Sequence, residues 1–326
     1  MGTVVSITVY ETDEMSFQKI KETVGKAFHL IDKYQKEIFD VNNKNSEISK
    51  INRRLSGAEG QQYIDFKVSD DLYRVLEISL DVARKTDFAF DISFKSAELI
   101  WLNALKNSRL PNREEINKLK NYLGPDVLKL KSNNRVLIKM NSKIAMSGIA
   151  KGYIMEKTFS FLKESGLNNF IINAGGDVKL SGSKAGKYWT TSVLKPEANT
   201  ISKLPVANDP KNSKYYAYCR SKNEGIGIAT SASYYRFTEY KGKKYSHIID
   251  TRTVRPTESD IISITVLYND MSYADAYATA FYIQGYKRLN EQFDSLDKQG
   301  LGVIVVKQDQ EKSMNKTAAR YCRFAN

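Results

Sequence analysis

Ile262-Ser-Ile-Thr-Val-Leu-Tyr268, followed after four residues by Tyr273-Ala-Asp-Ala-Tyr-Ala-Thr-Ala280, decides how this chain folds. Ile262, Ile264, Val266 and Tyr268 alternate with their neighbours, the period of a strand. The segment after it starts near Ser272 and stops at Gly285, which predicts a helix. On that helix Asp275 and Thr279 stand one turn apart and share a face. A carboxylate and a hydroxyl so placed suit Mg²⁺, which takes one or two protein carboxylates and fills its shell with water and phosphate oxygens. An aspartate near a helix start also serves the helix dipole, so the pair gains weight only from polar clusters upstream.

Working back from that helix, strand-like Val136-Leu-Ile-Lys-Met140 precedes Ser147-Gly-Ile-Ala-Lys-Gly-Tyr153. Ile154, Thr158, Phe161 and Leu162 then mark a helix ending at Gly166. Phe170-Ile-Ile-Asn173 reads as a buried strand and runs into the tight Ala174-Gly-Gly-Asp177, where adjacent glycines allow a phosphate or a flat ring to approach the backbone. Nearer the start, Phe17, Ile20, Val24, Phe28, Ile31 and Ile38 recur at three- and four-residue steps behind a Ser16 cap, a long amphipathic helix. His29 beside this stripe reads as a helix-surface histidine. A second helix runs from a Ser69 cap through Leu72, Leu76 and Val82, and Asp87-Phe-Ala-Phe-Asp-Ile-Ser93 breaks it. Residues Ser108 to Asp126 form a polar excursion with one short charged helix, and Lys195 to Tyr216 a mobile surface loop without chemistry. The stretch from Gln308 is polar and basic, a loosely held tail. The expected organisation is one catalytic domain over 1–307 with a tail over 308–326.

A chain of 326 residues with 41% hydrophobic content can bury a full core. Fifty Lys+Arg against 37 Asp+Glu give +13, a charge that attracts nucleic acid, an anionic surface or a phosphorylated ligand. The basic residues are dispersed, with only short clusters such as Lys241-Gly-Lys-Lys244 and Arg53-Arg54, and no interleaved basic and aromatic motif of an RNA-binding sheet. Nucleic-acid binding is therefore not expected. With two histidines, His29 and His247, and two cysteines, Cys219 and Cys322, the chain lacks ligands for structural zinc or an iron–sulfur cluster, so any metal is oxygen-bound. The cysteines leave a disulfide and two free thiols equally open. No apolar run reaches membrane-spanning length. The chain opens in the strand-like Thr3-Val-Val-Ser-Ile-Thr-Val9, so an upstream segment is expected to have been removed.

Taken in order, Met1-Gly-Thr3, Phe90-Asp-Ile-Ser93, Ser147-Gly-Ile-Ala-Lys-Gly-Tyr153, Asn173-Ala-Gly-Gly-Asp177, Ala229-Thr-Ser231, His247-Ile-Ile-Asp250 and the Asp275/Thr279 helix resemble the ApbE family, the FAD:protein FMN transferases. The resemblance implies an α+β, T-fold-like, two-lobed domain around a central FAD cleft. It also implies a Mg²⁺-dependent enzyme that cleaves FAD and passes FMN to a Thr or Ser hydroxyl of an acceptor flavoprotein, releasing AMP. Asp275, Thr279 and the carbonyl near Ala150 are the implied metal ligands. His247, Lys151 and Asp250 are the candidate catalytic residues: His247 near the diphosphate, either donating to the leaving AMP phosphate or taking the acceptor's proton, Lys151 holding a diphosphate oxygen or a carboxylate, Asp250 orienting its loop. Met1, Asn42, Ala89, Asp91, Glu156, Asn173, Gly175, Gly176, Asp177, Thr230 and Ser231 are the candidate flavin-nucleotide contacts. Met1 would pack its sulfur on a flat ring, while Asp91 reads equally well as a turn former. Members are commonly exported and lipid-anchored through an upstream cysteine that this chain lacks, so the envelope or periplasm is the expected location, with the membrane reached only through such an anchor.

The chain departs from the family pattern at four places. Asp250-Thr-Arg-Thr-Val254 stands where Asp-Pro-Arg-Thr-Gly is usual, and valine resists the positive φ that glycine supplies, so this loop is expected to take another path or gain mobility. Glu156 replaces an aspartate, and Ala232 a glycine. Asn42 falls where many members carry an aromatic residue, which leaves room for water as nucleophile and gives FAD hydrolysis to FMN and AMP as an alternative activity. A non-catalytic FAD-binding protein is the other alternative, which the presence of Asp275, Thr279 and His247 disfavours.

Overall fold

The computed structural model describes residues 3–10, 15–56, 62–195, 215–221, 225–232 and 237–325. Its frame is a seven-stranded antiparallel sheet of β1 (Val5–Val9), β2 (Phe170–Ala174), β3 (Asp177–Ser181), β4 (Gly227–Ala232), β5 (Ile261–Tyr268), β6 (Gly302–Lys307) and β7 (Lys312–Met314), lying side by side in that order. Each strand pairs with its successor in the chain, so the sheet is a meander whose connections carry the rest of the molecule.

Alternation divides the sheet into two faces, apart from a register shift between Ile261 and Ser263 of β5. Ile172, Ile264, Val266, Val303 and Val305 point into the main core with the helices, whereas Val178, Leu180, Leu267, Ile304 and Val306 point into a second core on the other side. That second core is closed by a three-stranded sheet with Tyr215–Arg220 at its centre, flanked by Thr190–Leu194 and Cys322–Phe324. Cys219 and Cys322 face each other in register there and form a disulfide. The helix layer contains α1 (Phe17–Lys33), α2 (Asp70–Lys85), α3 (Ala150–Glu164) and α4 (Met271–Gln284). The Ser16 and Ser69 hydroxyls accept the amides of Lys19 and Leu72, the caps the sequence called for.

α4 is buried along most of its length, from Met271 to Tyr282, and its Asp270 cap accepts the amides of Ser272 and Tyr273. β5 leads straight into it, as the decisive stretch predicts. Strands Tyr63–Lys67, Arg135–Lys139 and Leu128–Lys131 make a separate small sheet. The architecture is α+β, a large antiparallel sheet with α1 to α4 packed on one face.

Three expectations are corrected. The amphipathic stripe after Ser16 does not stay α-helical: Tyr34–Phe39 is a π-helix, ended when the Asp40 amide bonds the Gln35 carbonyl at 3.0 Å. The stretch from Gln308 is not loosely held, because β7, a short helix at Lys316–Ala319 and the disulfide-tied Cys322–Phe324 strand pack it into the second core. The loop at Val254 keeps the left-handed turn that glycine would supply, with φ 59°. Val254 is fully buried, and the Trp101 indole N–H donates to its carbonyl at 2.7 Å, which holds the backbone there against valine's preference. The expected surface loop after Lys195 lies mostly outside the described residues; Tyr215 and Tyr216, at its end, are buried in a strand.

Candidate active site

The site is assembled where the start of α3, the middle of α4 and the β2–β3 hairpin meet. Gly175 and Gly176 turn that hairpin with φ of 64° and 100°, the two left-handed positions of a two-residue turn, and the Gly176 amide donates to the Asn173 side chain at 3.0 Å. The turn starts β3 at Asp177, whose side chain is 5% exposed. Val178 and Leu180 face the second core, so alternation puts Asp177 and Lys179 on the helix side.

Both residues meet charges from α3. Lys151 forms an ion pair with Asp177 and also donates to Asp275 Oδ1 at 3.0 Å. Two residues along the strand, the Lys179 ammonium, 1% exposed, pairs with Glu156 at 2.9 Å and donates to the Asn269 carbonyl. Glu156 also accepts the amide of Met271 at 2.7 Å, the first residue of α4. Burial pushes the Glu156 carboxyl above its ordinary range, while the Lys179 ammonium and the Met271 amide pull it back. The two crossed pairs therefore pin α3 to β3 and fix the start of α4.

Asp275 is 7% exposed, and its other oxygen accepts the Gly152 amide at 2.8 Å. This approach needs Gly152: a Cβ there would stand 2.7 Å from the Asp275 Cβ and overlap the Met271 carbonyl. One turn on, the Thr279 hydroxyl lies 3.5 Å from the Ser231 hydroxyl of β4 and 3.4 Å from the Asp275 carbonyl. The Thr230 amide donates to Asp177 at 2.9 Å, but its hydroxyl bonds Thr265 at 2.9 Å on the opposite sheet face. The structure thus brings together Lys151, Asp177, Asp275, Thr279 and Ser231, with Ala150 at the first position of α3.

Other candidates are placed differently. Asp91 gives its carboxylate to the Ser93 amide and hydroxyl and to the Gly124 amide, the behaviour of a turn former. Asp250 accepts the Arg252 guanidinium through both oxygens at 2.8 Å, which orients its loop. His247 occupies the turn between Lys243–Ser246 and Ile249–Asp250 and is half-buried. Asn42 is exposed in the turn after the π-helix, and Ala89 is buried. Met1 lies outside the described residues. His29 is exposed on α1, with Nδ1 3.0 Å from the Gly25 carbonyl. A cleft of about 680 Å³ opens beside β1 and the end of α1, lined by Thr3, Val5, Phe28 and His29; none of the five clustered residues lines it.

Among the described residues no group of three His, Cys, Asp or Glu could hold a metal ion. The oxygens that converge are two carboxylates, Asp177 and Asp275, bridged by Lys151, and two hydroxyls, Thr279 and Ser231, hard donors that fit Mg²⁺ and suit neither zinc nor copper. Sequence reasoning missed Lys179 and the role of Gly152. The signals were a lysine two residues beyond Asp177 in the strand Asp177-Val-Lys-Leu-Ser181, and a glycine inside a helix, where it is costly without a packing reason.

The fold is shared with solved flavin transferases. The flavin transferase ApbE from Vibrio cholerae superposes with a TM-score of 0.79 at 22% identity, covering 98% of this chain and 96% of that one. The ApbE protein from Thermotoga maritima gives 0.75 at 23% identity, covering 98% and 99%. In sequence, the FAD:protein FMN transferase of Vibrio cholerae is 26% identical over 294 residues, 88% of this chain and 80% of that protein. The enzyme of the same name from Escherichia coli (strain K12) is 24% identical over 315 residues, 94% and 82%. The model of the ApbE family matches residues 1–304, and the chain belongs to that family.

Proposed function

We propose that this protein is an FAD:protein FMN transferase that uses Mg²⁺, attaches FMN through a phosphoester to a Thr or Ser of an acceptor flavoprotein, and releases AMP. The observation that carries the reading is the meeting of Lys151, Asp177, Asp275, Thr279 and Ser231 at the glycine hairpin, in a chain whose relatives bear that enzyme name. In the reaction the acceptor hydroxyl oxygen bonds to the FMN phosphorus, the bridging P–O bond of the diphosphate breaks, and AMP leaves with the bridging oxygen. Asp275, Thr279 and the Ala150 carbonyl would hold Mg²⁺, which when bound offsets charge on the diphosphate oxygens.

The protein's own residues orient and neutralise. The Gly176 backbone, with nothing within 4 Å of where a Cβ would stand, lets a ligand approach closely, Lys151 supplies a positive charge, and Ser231 offers a hydroxyl beside Thr279. His247 is assigned the acceptor's proton. Asn173 and Asp177 would shape the nucleotide pocket, and Glu156 supports it from behind through Lys179 and the α4 start. The reading predicts that purified protein with an acceptor flavoprotein consumes FAD and releases AMP only with Mg²⁺, and that Asp275→Ala abolishes this; acceptor-dependent AMP release that survives both EDTA and Asp275→Ala would remove the assignment.

A second activity, hydrolysis of FAD to FMN and AMP, is favoured by Asn42, a small exposed amide where the family resemblance implies a covering aromatic ring. Asn42→Tyr is expected to suppress FMN release without an acceptor while sparing FAD binding. Unchanged hydrolysis in that variant would rule out this role for the position. An envelope or periplasmic location is part of the same proposal; among the described residues no helix is long and apolar enough to cross a membrane.

A further inference from the structure

We infer that Lys151 is an internal counter-ion that occupies Asp275 in place of a metal, so that a divalent cation binds well only when a diphosphate arrives with it. The inference rests on the reading of Asp275 as a metal ligand. Its ground is the charge arrangement at the meeting of α3, α4 and β3. Asp177 and Asp275 are 5% and 7% exposed, and one ammonium, itself 26% exposed, serves both. The remaining bonds of the two carboxylates run to the neutral amides of Thr230 and Gly152, so the three side chains together carry one negative charge.

Burial makes an uncompensated charge costly. A divalent cation added to this cluster with Lys151 in place leaves a net charge of +1, three positive charges against two carboxylates. A diphosphate reverses that balance: the ammonium can leave Asp275, stay with Asp177 and donate to a phosphate oxygen, while the cation takes the freed Asp275 oxygen. Lys151 has the reach for either state, since it already spans the two carboxylates. Without the ammonium the carboxylates carry −2, the charge a divalent cation neutralises by itself. Lys151 therefore couples cation binding to ligand binding, which disfavours a loaded metal site in the absence of substrate.

The test is Mn²⁺ binding to the full chain without nucleotide, followed by the electron paramagnetic resonance of free Mn²⁺. Lys151→Met should bind Mn²⁺ at least about tenfold more tightly than the unaltered protein, because the competing ammonium is gone. Lys151→Arg should stay close to the unaltered affinity, and adding Asp275→Ala to Lys151→Met should erase the gain. Asp275-dependent binding that is no tighter in Lys151→Met overturns the counter-ion role while leaving the metal reading intact. Mn²⁺ binding that is absent from every form, or indifferent to Asp275→Ala, instead removes the metal reading on which the inference rests. A measurement on the unaltered chain guards against a variant that does not fold: ADP, as a diphosphate probe, should tighten Mn²⁺ binding to the protein severalfold beyond what ADP holds by itself. Mn²⁺ binding to the protein that ADP leaves unchanged contradicts the coupling.

Discussion

Val254 is buried with a left-handed backbone at φ 59°, a conformation costing of order 1–3 kcal/mol for a β-branched residue. Its side chain belongs to a small apolar cluster with Trp101 and Ile249, and burying a valine contributes about 1.5–3 kcal/mol. Val254→Ala discards much of that burial and keeps most of the strain, whereas Val254→Gly discards the burial and releases the strain. Val254→Gly is thus expected to melt above Val254→Ala, the reverse of their order at an ordinary buried site; the usual order would show that the backbone is not strained. The replacement of glycine by valine was legible in the sequence, but its outcome was not. The restraint comes from Trp101, far away in the chain, and local preference says nothing about it. Lys179 was hidden for a similar reason: a lysine in a strand reads as exposed until its partner Glu156 is known. Removing one member of a buried pair typically costs about 3–5 kcal/mol. Lys179→Met should therefore lower unfolding free energy by that order in urea, and Lys179→Met with Glu156→Gln should recover part of it; no recovery would deny the pairing.

At the scale of elements, the contact of α3 with α4 fixes the geometry of Asp275. Gly152→Ala must push the helices apart, since its new methyl would stand 2.7 Å from the Asp275 Cβ, and overpacking of this kind costs about 1–3 kcal/mol. Thermal unfolding should show that loss, with AMP release from FAD falling more steeply than stability. Gly25, in the middle of α1 with nothing within 4 Å of where a methyl would stand, is the contrast: Gly25→Ala should stabilise by about 0.4–1 kcal/mol with no loss of activity. Equal effects at the two glycines would mean that close helix packing does not matter here. The elements that carry the site were the most legible ones, because β5, α3, β2 and the glycine turn follow clean local patterns. The π-helix at Tyr34–Phe39 was not legible, since a stripe at three- and four-residue steps is the same for an α-helix up to the point of widening. The strand at Cys322–Phe324 was read as tail because its pairing lies with Tyr215–Arg220, a partner outside any local window.

At the scale of the whole molecule, one sheet separates two jobs. Its helix face holds the clustered charges, and its other face holds a core closed by the Cys219–Cys322 disulfide across a separation of 103 residues. A closed loop of that length contributes about 4–5 kcal/mol in the chain-entropy account. Replacing both cysteines by serine should lower the melting temperature markedly while leaving FAD cleavage at 25 °C close to unaltered; loss of activity without loss of stability would show that the two faces are coupled. The α+β class and the order of the site motifs could be read from sequence, whereas the crossed pairs Lys151–Asp177 and Lys179–Glu156 needed the register between β3 and α3. The most direct test of the account is the intact mass of an acceptor flavoprotein after incubation with this protein, FAD and Mg²⁺. The acceptor should gain the mass of one FMN phosphoester with AMP released in equal amount, both lost in Asp275→Ala. FAD recovered intact and the acceptor mass unchanged under every metal condition would contradict it.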